Sequence, residues 1–158
     1  MTEEYASDLV TWCYPEPYGC YDLVDADSGF FLDPANGYVA LLDEGVLVGY
    51  RCFGADGRVP GGAYDESALD TGGGLRPSLT GKGLGRRAIR VGLAHGRERY
   101  RPPAFRVTVA SFNERALRVV RSLGFVRTAR FDSTTDGKSY EILVRAEPYR
   151  CGRESTHG

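Results

Sequence analysis

Three glycines at every second position, Gly81, Gly83 and Gly85, alternate with Lys82 and Leu84 in the stretch LRPSLTGKGLGRR over 75–87, and an apolar-periodic segment follows at once. This is the pattern of a phosphate cradle opening a helix. Residues without a Cβ let the backbone approach an anion closely, and the free N–H groups of a helix's first turn, with the positive end of its dipole, supply the attraction. Lys82 and Arg86 add mobile positive charge one turn apart. Two well-known phosphate signatures do not fit. A Walker loop needs Ser or Thr after the lysine, where Gly83 stands, and a dinucleotide fingerprint starting at Gly81 or Gly72 needs a last glycine where Arg86 or Pro77 stands. Other chemistries have few candidates. Cys13, Cys20, Cys52 and Cys151 form no CxxC pair and have no histidine at ligand spacing, so no metal site is expected. The two histidines, His95 at a helix end and His157 near the terminus, offer little for a nucleophile pair.

The elements that must position the loop can be read from periodicity. Residues 2–13 read as a helix stopped by Pro15 and Pro17, followed by the tyrosine- and proline-rich YPEPYGCYDL, which either lines a site or packs over a core edge. The runs 37–42 and 46–53 read as a hairpin around Asp43, Glu44 and Gly45. GADGRVPGGAYD over 54–65 is a loop long enough to be functional. A strand over 68–76 is interrupted by Gly72, Gly73 and Gly74, which predicts a bulge or a close backbone approach. A helix follows over 83–99, then a strand around Phe105, Val107 and Val109, and a helix whose apolar stripe runs from Phe112 to Leu123 and stops at Gly124. Strands over 125–131 and 139–144 complete one domain over 1–147, with a polar tail over 148–158.

A chain of 158 residues, 42% hydrophobic, sustains one core, and it has no apolar run near the roughly 20 residues of a membrane helix and no leader. A cytoplasmic protein with no membrane partner is expected. The formal net charge of −1 hides an asymmetry: residues 1–50 hold ten acids and no Lys or Arg, and the remainder holds all twenty bases against eleven acids. Either the basic part holds an anionic cosubstrate while the acidic part attracts a cation, or the two parts neutralise each other across the fold. Acids interspersed among the bases argue against nucleic acid.

Thr80 to Gly85 fits, in all but its first residue, the acyl-CoA loop of the GNAT superfamily of N-acyltransferases, which reads Arg or Gln, two residues, Gly, one residue, then Gly or Ala. FRVTVASFNERALRVVRSLGF over 105–125 is similar to the family's strand, Asn-headed helix and Leu-Gly-Phe ending, in the right order and spacing. The resemblance covers 37–145 and implies an α/β GNAT fold: a mixed, mostly antiparallel sheet flanked by helices, with two strands splayed at an acyl-CoA cleft. The family's opening strand has almost no room here. By resemblance, the backbone around Leu75 and Arg76 pairs with the pantetheine arm, Thr80, Gly81, Lys82, Gly83, Leu84, Gly85 and Arg86 hold the pyrophosphate, and Asn113 contacts the arm; an ordinary helix cap is the other reading of Asn113. An acetyl group then passes from acetyl-CoA to a primary amine, of a small molecule or of a protein N-terminus. The amine must lose a proton. Asp70 is the first candidate base, then Glu66 and Asp65, each equally readable as a surface acid. Tyr14, Tyr18, Tyr21 and Tyr64 either frame an acceptor pocket or belong to the core. Val120 stands where many members have the tyrosine that protonates the leaving thiolate, so Tyr140 is a substitute acid, and an acyl-CoA-binding pseudoenzyme or a regulatory partner protein is the alternative. A homodimer is left open.

Overall fold

The computed structural model describes residues 1–23 and 26–148; the polar tail beyond Pro148, with Cys151 and His157, lies outside them. Among the described residues four α-helices, α1 (Glu3–Leu9), α2 (Ser28–Leu32), α3 (Gly85–Tyr100) and α4 (Glu114–Ser122), accompany six strands. The strands are β1 (Tyr38–Asp43), β2 (Val46–Phe53), β3 (Leu69–Leu75), β4 (Ala104–Ala110), β5 (Val126–Asp132) and β6 (Ser139–Ala146). No strand precedes α1 among the described residues.

The sheet order is β1-β2-β3-β4-β6-β5, antiparallel everywhere except where β3 meets β4. A parallel joint needs a crossover, and α3 supplies it. Helices α3 and α4 cover one face through Leu93, Leu117 and Val120 against Phe53, Phe105, Val107, Val109 and Leu143. On the opposite face Ala6 and Leu9 of α1, Trp12 just after it and Phe31 of α2 pack on Leu47 and Tyr50. Leu93, Phe105 and Leu143 are essentially inaccessible, and truncating a residue such as Phe105 to Ala would cost about 3–5 kcal/mol.

Local chemistry sets the boundaries. Thr2 caps α1 by accepting from the Tyr5 N–H, and the helix stops at Leu9, earlier than its apolar spacing predicts. α3 starts two residues later than periodicity predicts because Gly83, at φ +79°, cannot be helical. α4 is capped by Asn113, whose Oδ1 accepts from Ala116 N–H, while Ser111 bonds Ser139 instead of serving as a cap. The glycine triplet is not a bulge: β2 and β3 pair without a register shift from Gly49–Leu75 to Phe53–Thr71. The 54–65 loop packs where β3 and β4 part: Tyr64 Oη, accepting from Val59 N–H, bonds Thr108 Oγ1 just beyond the joint, a Cβ on Gly57 would stand 3.1 Å from Thr71 N, and Pro60 O accepts from Thr134 N–H.

Candidate active site

β3 and β4 pair at only two positions, Leu69 with Phe105 and Asp70 with Arg106. Beyond them β3 stays with β2 to Leu75 and β4 stays with β6 to Ala110, so the two strands diverge. Arg76 N–H donates to Val48 O (2.8 Å) and Gly54 N–H to Asp70 O (2.8 Å). Backbone groups alternate along an antiparallel strand, so the even-numbered residues of β3 address β2, and Thr71, Gly73 and Leu75 turn theirs into the gap. Leu75 O accepts from Tyr14 Oη at 2.6 Å.

The gap opens into a cleft of about 340 Å³ that passes through the sheet. Ala88 and Ile89 of α3 and Ala116 and Val119 of α4 line its helical side; Tyr14 and Tyr50 line the side toward α1, with Tyr18 and Tyr21 also in its wall. The glycine loop lies at its rim. Gly81 (φ +72°) and Gly83 (φ +79°) occupy the left-handed region, and α3 begins with no side-chain cap on its first turn, leaving the N–H groups of Gly85, Arg86 and Arg87 for an anion before Ala88 N–H joins the helix at Leu84 O. Thr80, Gly81, Gly83, Gly85, Arg86, Leu75 and Asn113 all contribute to the lining. Lys82 is exposed on the same loop, and Leu84 turns toward a neighbouring apolar groove with Leu79 and Val91.

Of Leu75 and Arg76, whose backbone the resemblance sets beside the pantetheine arm, Arg76 spends its N–H on Val48 O and its carbonyl on Leu79 N–H (2.8 Å each). Its guanidinium stacks on Trp12 (4.9 Å), donates to Leu47 O (3.0 Å) and pairs with Asp8 (2.5 Å), tying α1 to the sheet; the Arg76 contact holds the Asp8 carboxyl below its usual range. Asp70, the first candidate base, does not line the cleft and sits at the β3–β4 joint. It is 2% exposed and held by three charge-assisted bonds, Arg106 Nε (2.7 Å) and Nη2 (2.8 Å) and Arg58 Nε (2.8 Å), so both oxygens are committed. Glu66, with its side chain 98% exposed, and Asp65, which accepts from Ser67 and Arg106, sit beside that cluster at the closed end, away from the cleft. Tyr140 does not line the cleft; its hydroxyl donates to Asp136 (2.9 Å), its ring stacks on Phe131, and burial with the Asp136 charge raises its pKa. Asn113 serves both as cap and as donor from Nδ2 to Tyr21 Oη (3.1 Å). Val120 is buried in the apolar core.

Two cleft residues escape the sequence reading. Arg115 stacks on Tyr18 (4.6 Å) and brings Nη1 to 3.0 Å from where a Gly81 Cβ would stand, adding a guanidinium to the anion end. Arg51 of β2 lies buried in the cleft floor, and burial lowers its pKa. Eighteen arginines in the sequence hide both. Among the described residues no Asp, Glu or His lines the cleft; burial raises the phenol pKa values of Tyr14, Tyr21 and Tyr50.

An anion cradle at a helix start, leading into a gap between diverging parallel strands with free backbone edges, defines an acyl-CoA-dependent transferase. The family model described as "Acetyltransferase (GNAT) family" matches residues 4–125, and the chain belongs to that family. It is similar to the N-alpha-acetyltransferase RimI of Mycobacterium tuberculosis, 34% identical over 124 residues that cover 77% of this chain and 68% of the relative. Its fold is similar to that of AAC(6')-Ib in complex with ribostamycin and coenzyme A (TM-score 0.72, 20% identity, covering 93% of this chain and 90% of the other). It is also similar to yncA, a putative acetyltransferase from Salmonella typhimurium with its cofactor acetyl-CoA (TM-score 0.61, 20% identity, 98% and 90%). The protein is an N-acetyltransferase that moves an acetyl group from acetyl-CoA to an amine.

Proposed function

We propose that the acceptor is the α-amino group of a peptide or protein chain. The observation that carries this reading is the cleft without a carboxylate or imidazole among its described lining residues. A lysine or alkyl ammonium, with a pKa near 10.4, costs about 4 kcal/mol to deprotonate at pH 7.5, whereas an α-amino group near 7.7–8.0 costs about 0.5 kcal/mol. A site that supplies no strong base therefore serves the α-amine best. The similarity to an N-alpha-acetyltransferase supports the same choice.

The backbone of Gly73 and Leu75 orients the donor arm, the α3 N-terminus with Arg86 and Arg115 holds its phosphates, and the tyrosine-lined side admits the amine. Tyr21 is the acid for the leaving sulfur. Asn113 donates into the Tyr21 oxygen, so the phenol's own hydrogen is left to point elsewhere, and its raised pKa keeps it protonated at neutral pH. The negative charge of the first fifty residues attracts a cationic acceptor. We place the single domain over 1–147 in the cytoplasm, in keeping with free Cys13, Cys20 and Cys52, with no nucleic acid or membrane required.

The test is a panel of peptides carrying a free N-terminus, a blocked N-terminus with internal lysine, and small polyamines and aminoglycosides, followed by thiol release and mass mapping. Acetylation at the free α-amine at least about 100-fold more efficient than at lysine is expected, from the difference in deprotonation cost. Preference for lysine or for a small polyamine would overturn the reading.

A further inference from the structure

Arg51 is 6% exposed. Its Nη2 donates to Thr71 Oγ1 (3.0 Å), its Nε is buried with no partner, and among the described residues no carboxylate pairs with it. Two glycines shape its seat. A Cβ on Gly92, in the middle of α3, would stand 2.6 Å from Arg51 Cγ, and one on Gly73 would stand 2.3 Å from the Tyr50 backbone oxygen and then 2.8 Å from Arg51 Cδ and 2.9 Å from Nη1. A glycine inside a helix weakens it, so at Gly92 the fold gives up local stability to admit this side chain, while Gly73 opens room for both the Tyr50 backbone and Arg51. An isolated buried guanidinium is strongly disfavoured unless an anion meets it.

The place identifies the anion. Thr71 is the first residue of β3 beyond the paired joint with β4, so the guanidinium lies at the vertex of the gap and lines the cleft. The phosphate end is at Gly81–Arg86, at the other end of β3, so an arm laid along the open edge from Leu75 toward Thr71 brings its acyl end to Arg51. An acetyl group carries no charge to offer there. We propose that Arg51 receives the terminal carboxylate of the acyl group, so that the enzyme accepts acyl-CoA donors of short dicarboxylic acids, malonyl, succinyl or glutaryl, in addition to acetyl-CoA. In the transfer the acceptor nitrogen bonds to the thioester carbonyl carbon and the C–S bond breaks. The nitrogen sheds one proton to solvent and the departing thiolate takes one up; the distal carboxylate is unchanged.

Equilibrium binding of acetyl-, malonyl-, succinyl- and glutaryl-CoA, measured calorimetrically without any acceptor, tests this independently of which amine is acylated. At least one of the three charged donors should bind about tenfold or more tighter than acetyl-CoA, as expected for a desolvated charge-assisted pair. Arg51→Met should remove that preference and Arg51→Lys retain part of it. If Arg51→Met does not fold, the wild-type ratio and Arg51→Lys decide. The proposal fails if no charged donor outbinds acetyl-CoA. It fails equally if the preference survives in Arg51→Met, or if that variant weakens acetyl and charged donors by the same factor, which would assign Arg51 to a group common to all donors.

Discussion

Asp70→Asn separates a base from a clasp. Asp70 is 2% exposed and Arg106 4%, and three N–H···O bonds of 2.7–2.8 Å join them and Arg58 across the two-residue joint between β3 and β4. Removing the Asp70 charge leaves the buried Arg106 guanidinium with the exposed Asp65 as its one charged partner, and breaking a buried pair in this way costs about 3–5 kcal/mol. For a domain of this size each kcal/mol is worth roughly 2–4 °C, so the melting midpoint should fall by about 10 °C. A lost general base would instead lower kcat by about 10²- to 10⁴-fold without a comparable loss of stability. The assay is a thermal melt paired with turnover at a temperature where both proteins are folded. A large drop in midpoint with kcat within about threefold is expected. An unchanged midpoint with kcat down a hundredfold would refute the structural role and return Asp70 to the chemistry. The double variant Asp70→Leu with Arg106→Met should be more stable than Arg106→Met alone, because the single variant leaves the buried carboxylate with Arg58 as its one remaining charged partner.

Gly83→Val should weaken CoA binding by more than about tenfold while the fold persists: no protein atom lies within 4 Å of the added Cβ, but its φ of +79° resists a β-branched residue and moves the cradle. Undiminished affinity in a folded variant would remove the loop from the site. Tyr21→Phe should lower kcat about 10²-fold near neutral pH, with the deficit shrinking above about pH 8.5, where a thiolate departs without a proton. A deficit of constant size across that range would mean Tyr21 only positions. For a peptide acceptor, kcat/KM should rise with pH through the acceptor's own pKa near 7.7–8.0 and then level, because only the neutral amine attacks. A rise centred near pH 6 would reveal an enzyme base in the acceptor path.

What was legible in the sequence is what local chemistry decides. The positive-φ glycines and the following helix announce an anion site because both depend on a few neighbouring residues, and Asn113 caps a helix for the same reason. The role of Asp70 was not legible because its partners Arg58 and Arg106 come from 12 and 36 residues away. Nothing in an arginine-rich chain says which guanidinium meets which acid. The glycine triplet was visible, but its cause was not: the neighbours that need the space at Gly73 are the Tyr50 backbone oxygen and the Arg51 side chain of β2, brought there by strand register. Arg76 follows β3 directly, and nothing local says that its guanidinium goes to Trp12 and Asp8 of the first segment.

The two-position joint between β3 and β4 gives the sheet four borders where an ordinary open sheet has two. The inner pair, at Thr71–Leu75 and Val107–Ala110, carries unladdered amide groups on twisted β structure, the surface on which foreign strands template. Helices α3 and α4 wall it on one side and the Tyr14 hydroxyl blocks one carbonyl, but the cosubstrate arm is its proper cover. Cofactor-stripped protein should therefore self-associate through this inner border at high concentration, and millimolar CoA should suppress the association seen by light scattering. In a cell, acyl-CoA supply would then act as a folding guardian for this enzyme as well as its fuel.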